Sequence, residues 1–101
     1  MPTPDCTEIL RALADRSRMR IVKALLAEAR GVNELSTALG LSQYNTSKHL
    51  RILREAGIVA MEPIGNQRRY SIAAALRKRL AREGPMLDFG CCSFRFDRLP
   101  D

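Results

Sequence analysis

A three-residue turn between two helical patterns constrains this chain most strongly. Residues 40–42 read Gly-Leu-Ser, and after them Thr46, Leu50 and Leu53 recur at the i, i+4, i+7 spacing of one helix face. Glycine tolerates the left-handed backbone that ends a helix, and serine accepts hydrogen bonds from the free amides that begin one. With Asn33 as the cap of the preceding helix, residues 33–56 are predicted to form two helices joined by a tight turn, the helix-turn-helix arrangement.

The second of these helices has a polar and mostly basic outward side. Because the apolar positions occupy one face, the side chains between them must point away from the core. An α-helix fits the major groove of B-DNA, where arginine is suited to guanine and other polar side chains can reach base edges or phosphates. The residues predicted to contact DNA from this helix are Gln43, Tyr44, Ser47, Lys48 and Arg51.

After Gly57 the apolar period changes from about 3.6 to 2, which predicts a β-hairpin around a turn at Gly65 and Asn66. That turn would pair Val59 with Ile72, Met61 with Tyr70, Glu62 with Arg69 and Ile64 with Gln67. Pro63 would then need an edge strand, because proline donates no ladder hydrogen bond. Arg68 and Arg69, beside the hairpin tip, are predicted to contact a phosphate or the minor groove.

Further helices are predicted on both sides of this region. The first covers residues 4 to about 14 with Thr3 as its cap, and the second begins after Asp15. A fifth covers about residues 73 to 83, before Gly84 and Pro85 end it. In the second helix the predicted buried stripe consists of Met19, Val22, Leu25, Leu26 and Ala29.

Length and charge narrow the class of protein. The chain has 101 residues, enough for one domain, and its 46% hydrophobic and 28% charged residues exclude a mostly disordered chain. Seventeen Lys and Arg residues against eleven Asp and Glu give a net charge of +6, which favours a polyanionic partner. Residues 42–82 alone contain nine basic and two acidic residues, so the excess charge is concentrated where the DNA contacts are predicted.

Several other classes of protein find little support. No apolar run approaches the roughly 18 residues of a membrane span, and the N-terminus lacks a signal-peptide pattern, so a soluble cytoplasmic protein is predicted. The single histidine, His49, has no second histidine or nucleophile arranged with it, so no enzyme is predicted. His49 lies on the flank of the fourth helix, where packing or a hydrogen bond near the DNA backbone is expected instead of metal binding.

The C-terminal tail has an unusual composition. All three phenylalanines of the chain and two of its three cysteines, Cys91 and Cys92, fall between residues 89 and 96. A segment this apolar is expected to pack on the domain or on a partner subunit. We therefore predict a DNA-binding and dimerisation domain at residues 1–84 and a Cys- and Phe-rich tail at residues 85–101.

Four runs resemble the ArsR/SmtB family of bacterial transcriptional repressors: LADRSRMRI at 13–21, ELSTALGLSQ at 34–43, SKHLRILREAGIV at 47–59 and RYSI at 69–72. The resemblance implies a mainly α-helical winged helix-turn-helix protein with a small β-hairpin. It also implies a homodimer joined through its first and last helices, which occupies double-stranded operator DNA until a signal releases it. Two-fold symmetry would place the two recognition helices in successive major grooves, about 34 Å apart.

The chain departs from the metal sites of the best-known sensors in that family. The resemblance places a metal site with cysteine ligands at the start of the third helix, but this chain has Gly31 and Asn33 there. The family's zinc site on the last helix uses Asp and His, and residues 73–83 contain neither. The remaining ligand candidates are Cys6, Cys91 and Cys92. Clustered cysteines in some relatives of the family bind arsenite, and trivalent arsenic takes three thiolates. The predicted sensor is therefore an arsenite or similar thiophilic site on these three cysteines, across subunits if the tail folds over the dimer interface.

Other interpretations of the cysteines stay open. They fit a redox thiol switch, or simple packing as small apolar side chains. Three cysteines are an odd number for a disulfide framework, and a reducing compartment would keep them as thiols or metal ligands. Structural zinc fits less well because it prefers four ligands. A different class of function, a small thiol protein that carries metal, would leave the basic surface unused.

Overall fold

The structure, a computed structural model, describes residues 5–77, 86–90 and 92–96. Four helices, with a short strand between the second and third of them, precede the remaining strands of two small antiparallel sheets. The elements are α1 (Cys6–Leu13), α2 (Arg16–Ala27), β1 (Arg30–Gly31), α3 (Val32–Leu39), α4 (Gln43–Glu55), β2 (Val59–Ile64), β3 (Gln67–Ile72), β4 (Met86–Asp88) and β5 (Ser93–Arg95). Residues 74–77 are helical, and the rest of the predicted fifth helix lies outside the described residues.

Side-chain oxygens fix where three of the helices begin. The Asp15 carboxylate accepts from the Arg18 amide at 3.0 Å and the Ser42 hydroxyl accepts from the Asn45 amide at 3.0 Å, which confirms both predicted caps. The predicted Thr3 cap was wrong, because α1 begins at Cys6 and the Asp5 carboxylate accepts from the Thr7 amide at 3.0 Å.

The start of α3 also differs from the prediction. Gly31 occupies the cap position instead of Asn33, and the Glu34 carboxylate reaches back to accept from the Gly31 amide at 3.2 Å. A glycine has no capping side chain of its own, so the glutamate three residues later supplies the hydrogen bond. The signal for this start is the Glu34 position rather than a polar residue at the cap.

The turn between α3 and α4 has the geometry that its glycine predicts. Gly40 adopts φ +69°, and the Leu41 amide donates to the Ser36 carbonyl at 3.0 Å, closing the end of α3. A β-carbon added at Gly40 would meet no atom within 4 Å, so backbone conformation and not space selects glycine there.

The hairpin of β2 and β3 has the predicted register: Val59 pairs with Ile72, Met61 with Tyr70, Glu62 with Arg69 and Ile64 with Gln67. Its turn has a positive φ of 62° at Gly65 and none at Asn66, as in a type II′ turn. Strand order is β1-β3-β2, so Pro63 lies on an edge strand as predicted. The two-residue strand β1, which pairs with Tyr70 and Arg69 of β3, was missed because so short a segment has no detectable period.

The helices pack around one apolar core that also receives the hairpin. Leu50 and Leu53 of α4 and Ile21 and Val22 of α2 are fully buried. Ile21 was absent from the predicted stripe of α2, and the predicted Ala29 lies beyond the end of the helix, so that stripe was partly wrong. No helix in the described residues is both long and apolar enough to cross a bilayer.

The last described strands lie against the same core. In the β4–β5 pair Leu87 faces Phe94, and Leu87 and Phe96 are fully buried in the core cluster. The ring centroids of Phe89 and Phe94 lie 6.1 Å apart, and those of Phe94 and Phe96 lie 6.4 Å apart. Aromatic side chains in this arrangement bury a large apolar area, so the strand pair is part of the packed structure.

Candidate nucleic-acid interface

The inward side of α4 fixes the helix on the core. Thr46, Leu50 and Leu53 are each 0% exposed, and the Thr46 hydroxyl donates to the Ser42 carbonyl at 2.8 Å. The buried polar group is therefore satisfied within the helix itself. With these side chains packed, α4 has little freedom to rotate about its axis, so its opposite side is presented in a defined direction.

The five side chains predicted to contact DNA from α4 are all exposed: Tyr44, Lys48 and Arg51 on that opposite side, Ser47 on its flank, and Gln43 at the first position of the helix. Tyr44 is 75% exposed, a high value for an aromatic residue with no role in the core. The Arg51 guanidinium forms a 2.9 Å ion pair with Glu55 one turn later. Because both partners are largely exposed, this pair adds little stability, and a phosphate can take the place of the carboxylate.

The two hairpin arginines differ in their surroundings. Arg68 and Arg69 are both exposed, and strand alternation directs them to opposite faces of the hairpin. The Arg69 guanidinium donates to the Ala29 carbonyl at 3.1 Å, just before β1, so it supports the sheet. Arg68 lies one residue closer to the turn at Gly65 and Asn66, and of the two it is better placed to reach a ligand beyond the hairpin tip.

Arg18 of α2 lies at a junction of three helices that the sequence pattern did not reveal. Its guanidinium donates to the carbonyl of Ala12 at the end of α1, and it lies 3.3 Å from Nδ1 of His49 on α4. Burial raises the pKa of the neighbouring Asp15 carboxyl, but the hydrogen bond from the Arg18 amide and the charges of Arg18 and His49 outweigh it and hold the pKa below its ordinary value. The side chain of His49 thus makes a hydrogen bond with another side chain of the protein.

The cysteines are only partly described. Cys6 is the first residue of α1 and is disulfide-bonded, whereas Cys92 keeps its thiol and packs, half-buried, against the core. The disulfide differs from the expectation that all three cysteines remain thiols. Cys91 lies outside the described residues. Within the described part of the chain, no three His, Cys, Asp or Glu side chains come together as a metal site.

Known proteins share both this sequence pattern and this fold. Residues 15–60 match the family described as "Bacterial regulatory protein, arsR family". The chain is 44% identical to the uncharacterised HTH-type transcriptional regulator Rv0081 of Mycobacterium tuberculosis over 68 residues. This aligned segment covers 66% of this chain and 60% of Rv0081. The crystal structure of Rv0081 aligns with a TM-score of 0.64 and 40% identity, covering 76% of this chain and 86% of the other. The chain belongs to the ArsR family.

Two other solved structures from mycobacteria have a similar fold. The cadmium metal-sensor CmtR from Mycobacterium tuberculosis has a TM-score of 0.62 and 38% identity, covering 77% of this chain and 82% of that one. The homodimeric winged helix-turn-helix domain of Mb0332 from Mycobacterium bovis has a TM-score of 0.67 and 28% identity, covering 77% and 79%. The alignment spans about 60% of the length of the curated Rv0081 protein. The predicted family and winged helix-turn-helix fold of this ArsR-family chain are thus confirmed.

Proposed function

We propose that this ArsR-family chain is a transcriptional repressor that binds operator DNA as a homodimer. The observation that supports this most is the contrast between the two sides of α4. Thr46, Leu50 and Leu53 are wholly buried, whereas the polar and basic side chains opposite them are exposed on a helix held in place by the core. A rigid helix that displays cations and hydrogen-bonding groups matches the width and the donor and acceptor pattern of the major groove.

In this proposal α4 lies in the major groove and the hairpin acts as a wing. Lys48 neutralises a phosphate, and Arg51 exchanges Glu55 for a phosphate or a guanine edge. Gln43, Tyr44 and Ser47, near the N-terminal end of α4, contact bases or phosphates. Arg68 adds a contact from the wing to the backbone or the minor groove, and Arg69 holds the wing against β1 while it contributes positive charge.

Dimerisation through the first and last helices is part of the same proposal. Leu10 on α1 is 47% exposed, which leaves an apolar side chain on the surface of a helix that would be covered in a dimer. A homodimer with two-fold symmetry would present two α4 helices to half-sites about one helical turn of DNA apart. Residues 1–84 then form the DNA-binding and dimerisation unit, and residues 85–101 pack on it.

The salt dependence of DNA affinity tests the proposal. A fluorescent duplex, selected by the protein from a random-sequence pool, is titrated at several salt concentrations by anisotropy. If a dimer neutralises about six phosphates, log affinity is expected to fall with log salt at a slope of about −5. Affinity would then fall roughly a thousandfold between about 50 and 200 mM salt. A slope near zero, or failure to enrich any duplex, would contradict DNA binding through the basic surface.

For the signal, we propose a thiophilic ligand such as arsenite, bound by Cys6, Cys91 and Cys92. Support comes from the position of Cys6 in the first turn of α1, where the free amides and the helix dipole favour a thiolate. The Cys6 disulfide must first accept two electrons and two protons from a dithiol reductant to give two thiols. Arsenous acid can then exchange its three hydroxyls for three cysteine sulfurs and release three waters, without any redox change at arsenic.

The Cys6 disulfide also favours a second candidate, a redox switch. Here a peroxide removes two electrons and two protons from a pair of thiols, so that one disulfide forms and the peroxide is reduced to water. The disulfide that ties Cys6 would change how α1 is held, and α1 is a proposed dimer helix. This candidate needs no metalloid and makes no use of a third thiol.

Arsenite titration distinguishes the two signals. Fully reduced protein is expected to bind one arsenite for each set of three thiols, measured by calorimetry and by the near-ultraviolet absorption of arsenic–thiolate bonds. Cys6→Ser, Cys91→Ser and Cys92→Ser are each expected to abolish three-coordinate binding, because only two sulfurs remain. Unchanged arsenite affinity in all three variants would exclude the metalloid site. A change in DNA affinity on peroxide oxidation without arsenite would instead support the redox switch.

A further inference from the structure

Arg18 connects α2 to two other helices through one guanidinium. Its Nε donates to the Ala12 carbonyl at 2.5 Å, and Nη2 lies 3.4 Å from the Arg11 carbonyl. Both carbonyls belong to the last turn of α1, where helical carbonyls lack partners within the helix. On its other side, Nη1 reaches Nδ1 of His49 at 3.3 Å, 31 residues further along the chain.

The chemistry of these groups fixes the direction of the hydrogen bond between Arg18 and His49. A guanidinium has five N–H donors and no acceptor, so Nδ1 of His49 must accept the hydrogen bond. Arg18 is therefore the donor and His49 the acceptor of a hydrogen bond that joins α2 to α4.

We propose that the Arg18–His49 hydrogen bond is a positioning contact that sets α4 against the corner of α1 and α2, and that DNA affinity depends on it. This inference rests on the proposed DNA binding through α4. His49 follows directly after Lys48 and precedes the buried Leu50, so it lies where the outward side of α4 meets the core. A small rotation or slide of α4 at this point would displace the exposed side chains relative to a DNA groove. Neither residue needs to touch DNA for this effect.

Substitutions that keep or remove the acceptor test this inference. His49→Gln retains a carbonyl oxygen that can accept from Arg18, whereas His49→Leu has none. Arg18→Lys keeps the positive charge, but an ammonium group lacks the planar array of N–H donors with which the guanidinium reaches three acceptors. At pH 7.5 and fixed salt, His49→Leu and Arg18→Lys are expected to bind the selected duplex about tenfold more weakly than the unsubstituted protein, since each loses a hydrogen bond to a charged group. His49→Gln is expected to remain within about twofold.

Matched controls separate a positioning effect on DNA affinity from a general loss of structure. Arg16→Lys makes the same chemical change at an exposed site two residues away on α2, and it is expected to leave affinity unchanged. Far-ultraviolet circular dichroism and thermal unfolding check that every variant is folded at the assay temperature.

The outcomes distinguish the inference from the proposed function. If the unsubstituted protein binds no duplex, the proposed function fails and the inference fails with it. If it binds DNA but folded His49→Leu binds equally well, DNA binding stands and the positioning contact is wrong. Equal weakness of His49→Gln and His49→Leu would also overturn it.

Discussion

Replacing Lys48 by glutamate is expected to weaken binding to the selected duplex on the order of 100-fold near physiological salt, since it removes a phosphate contact and adds repulsion. Lys48 is exposed on the outward side of α4, between the exposed Ser47 and the hydrogen-bonded His49. Lys48→Ala removes the charge without reversing it and is expected to cost about tenfold. In a dimer the substitution is present in both subunits. The slope of log affinity against log salt should therefore become shallower by about 2, one for each lost phosphate contact.

A second substitution on α4 serves as a control, because it is expected to strengthen DNA binding instead of weakening it. Glu55→Gln removes the carboxylate that holds the Arg51 guanidinium at 2.9 Å. Arg51 is then released toward the DNA and one negative charge is lost, so binding is expected to tighten about two- to threefold. Anisotropy titrations at matched ionic strength measure all three variants. Unchanged affinity for Lys48→Glu in a folded protein would place the DNA surface elsewhere than the outward side of α4.

Leu87→Ala is expected to lower the free energy of unfolding by about 2–5 kcal/mol, the range for deleting a buried leucine side chain. Leu87 lies on β4, is 0% exposed and belongs to the same core as α1, α2 and α4. For a domain whose total stability is about 5–15 kcal/mol, this loss is large. Urea unfolding followed by circular dichroism, at one fixed protein concentration, measures it.

Ile64→Ala is the matched control for that experiment. It deletes the same number of carbon atoms from a side chain that is 52% exposed near the hairpin tip, so a change within about 0.5 kcal/mol is expected. A comparable loss in both variants would mean that Leu87 does not contribute to the core more than a surface residue does. The experiment therefore tests whether the strands after residue 85 belong to the folded unit.

The sequence predicted those parts of the fold that depend on local chemistry. The inward stripe of α4 follows from the helical period, and the register of β2 and β3 follows from a glycine-containing turn flanked by alternating apolar residues. The caps Asp15 and Ser42 were identified because each stands directly before the helical pattern that it begins. At α1 the cap is Asp5 instead of Thr3, and at α3 it is Gly31, which has no capping side chain, so there the pattern alone selected wrongly.

Contacts between distant parts of the chain were not predictable in this way. The Arg18–His49 hydrogen bond spans 31 residues, and Arg69 reaches the Ala29 carbonyl across 40. Neither contact produces a periodic pattern in the sequence, because each depends on how the helices and strands pack against one another after they have formed. For the candidate site, exposure of the α4 residues followed from the period, but the different surroundings of Arg68 and Arg69 depend on β1, whose two residues are too few to show a pattern.

Pro63 on the open edge of β2 has a consequence for solubility. A bare strand edge offers free N–H and C=O groups to which a strand from another molecule can add. Pro63 has no N–H, and Glu62 beside it carries a charge, so the wing resists growth of its sheet by this route. If the chain dimerises through its helices as proposed, this edge keeps the hairpin from making a second kind of contact between molecules.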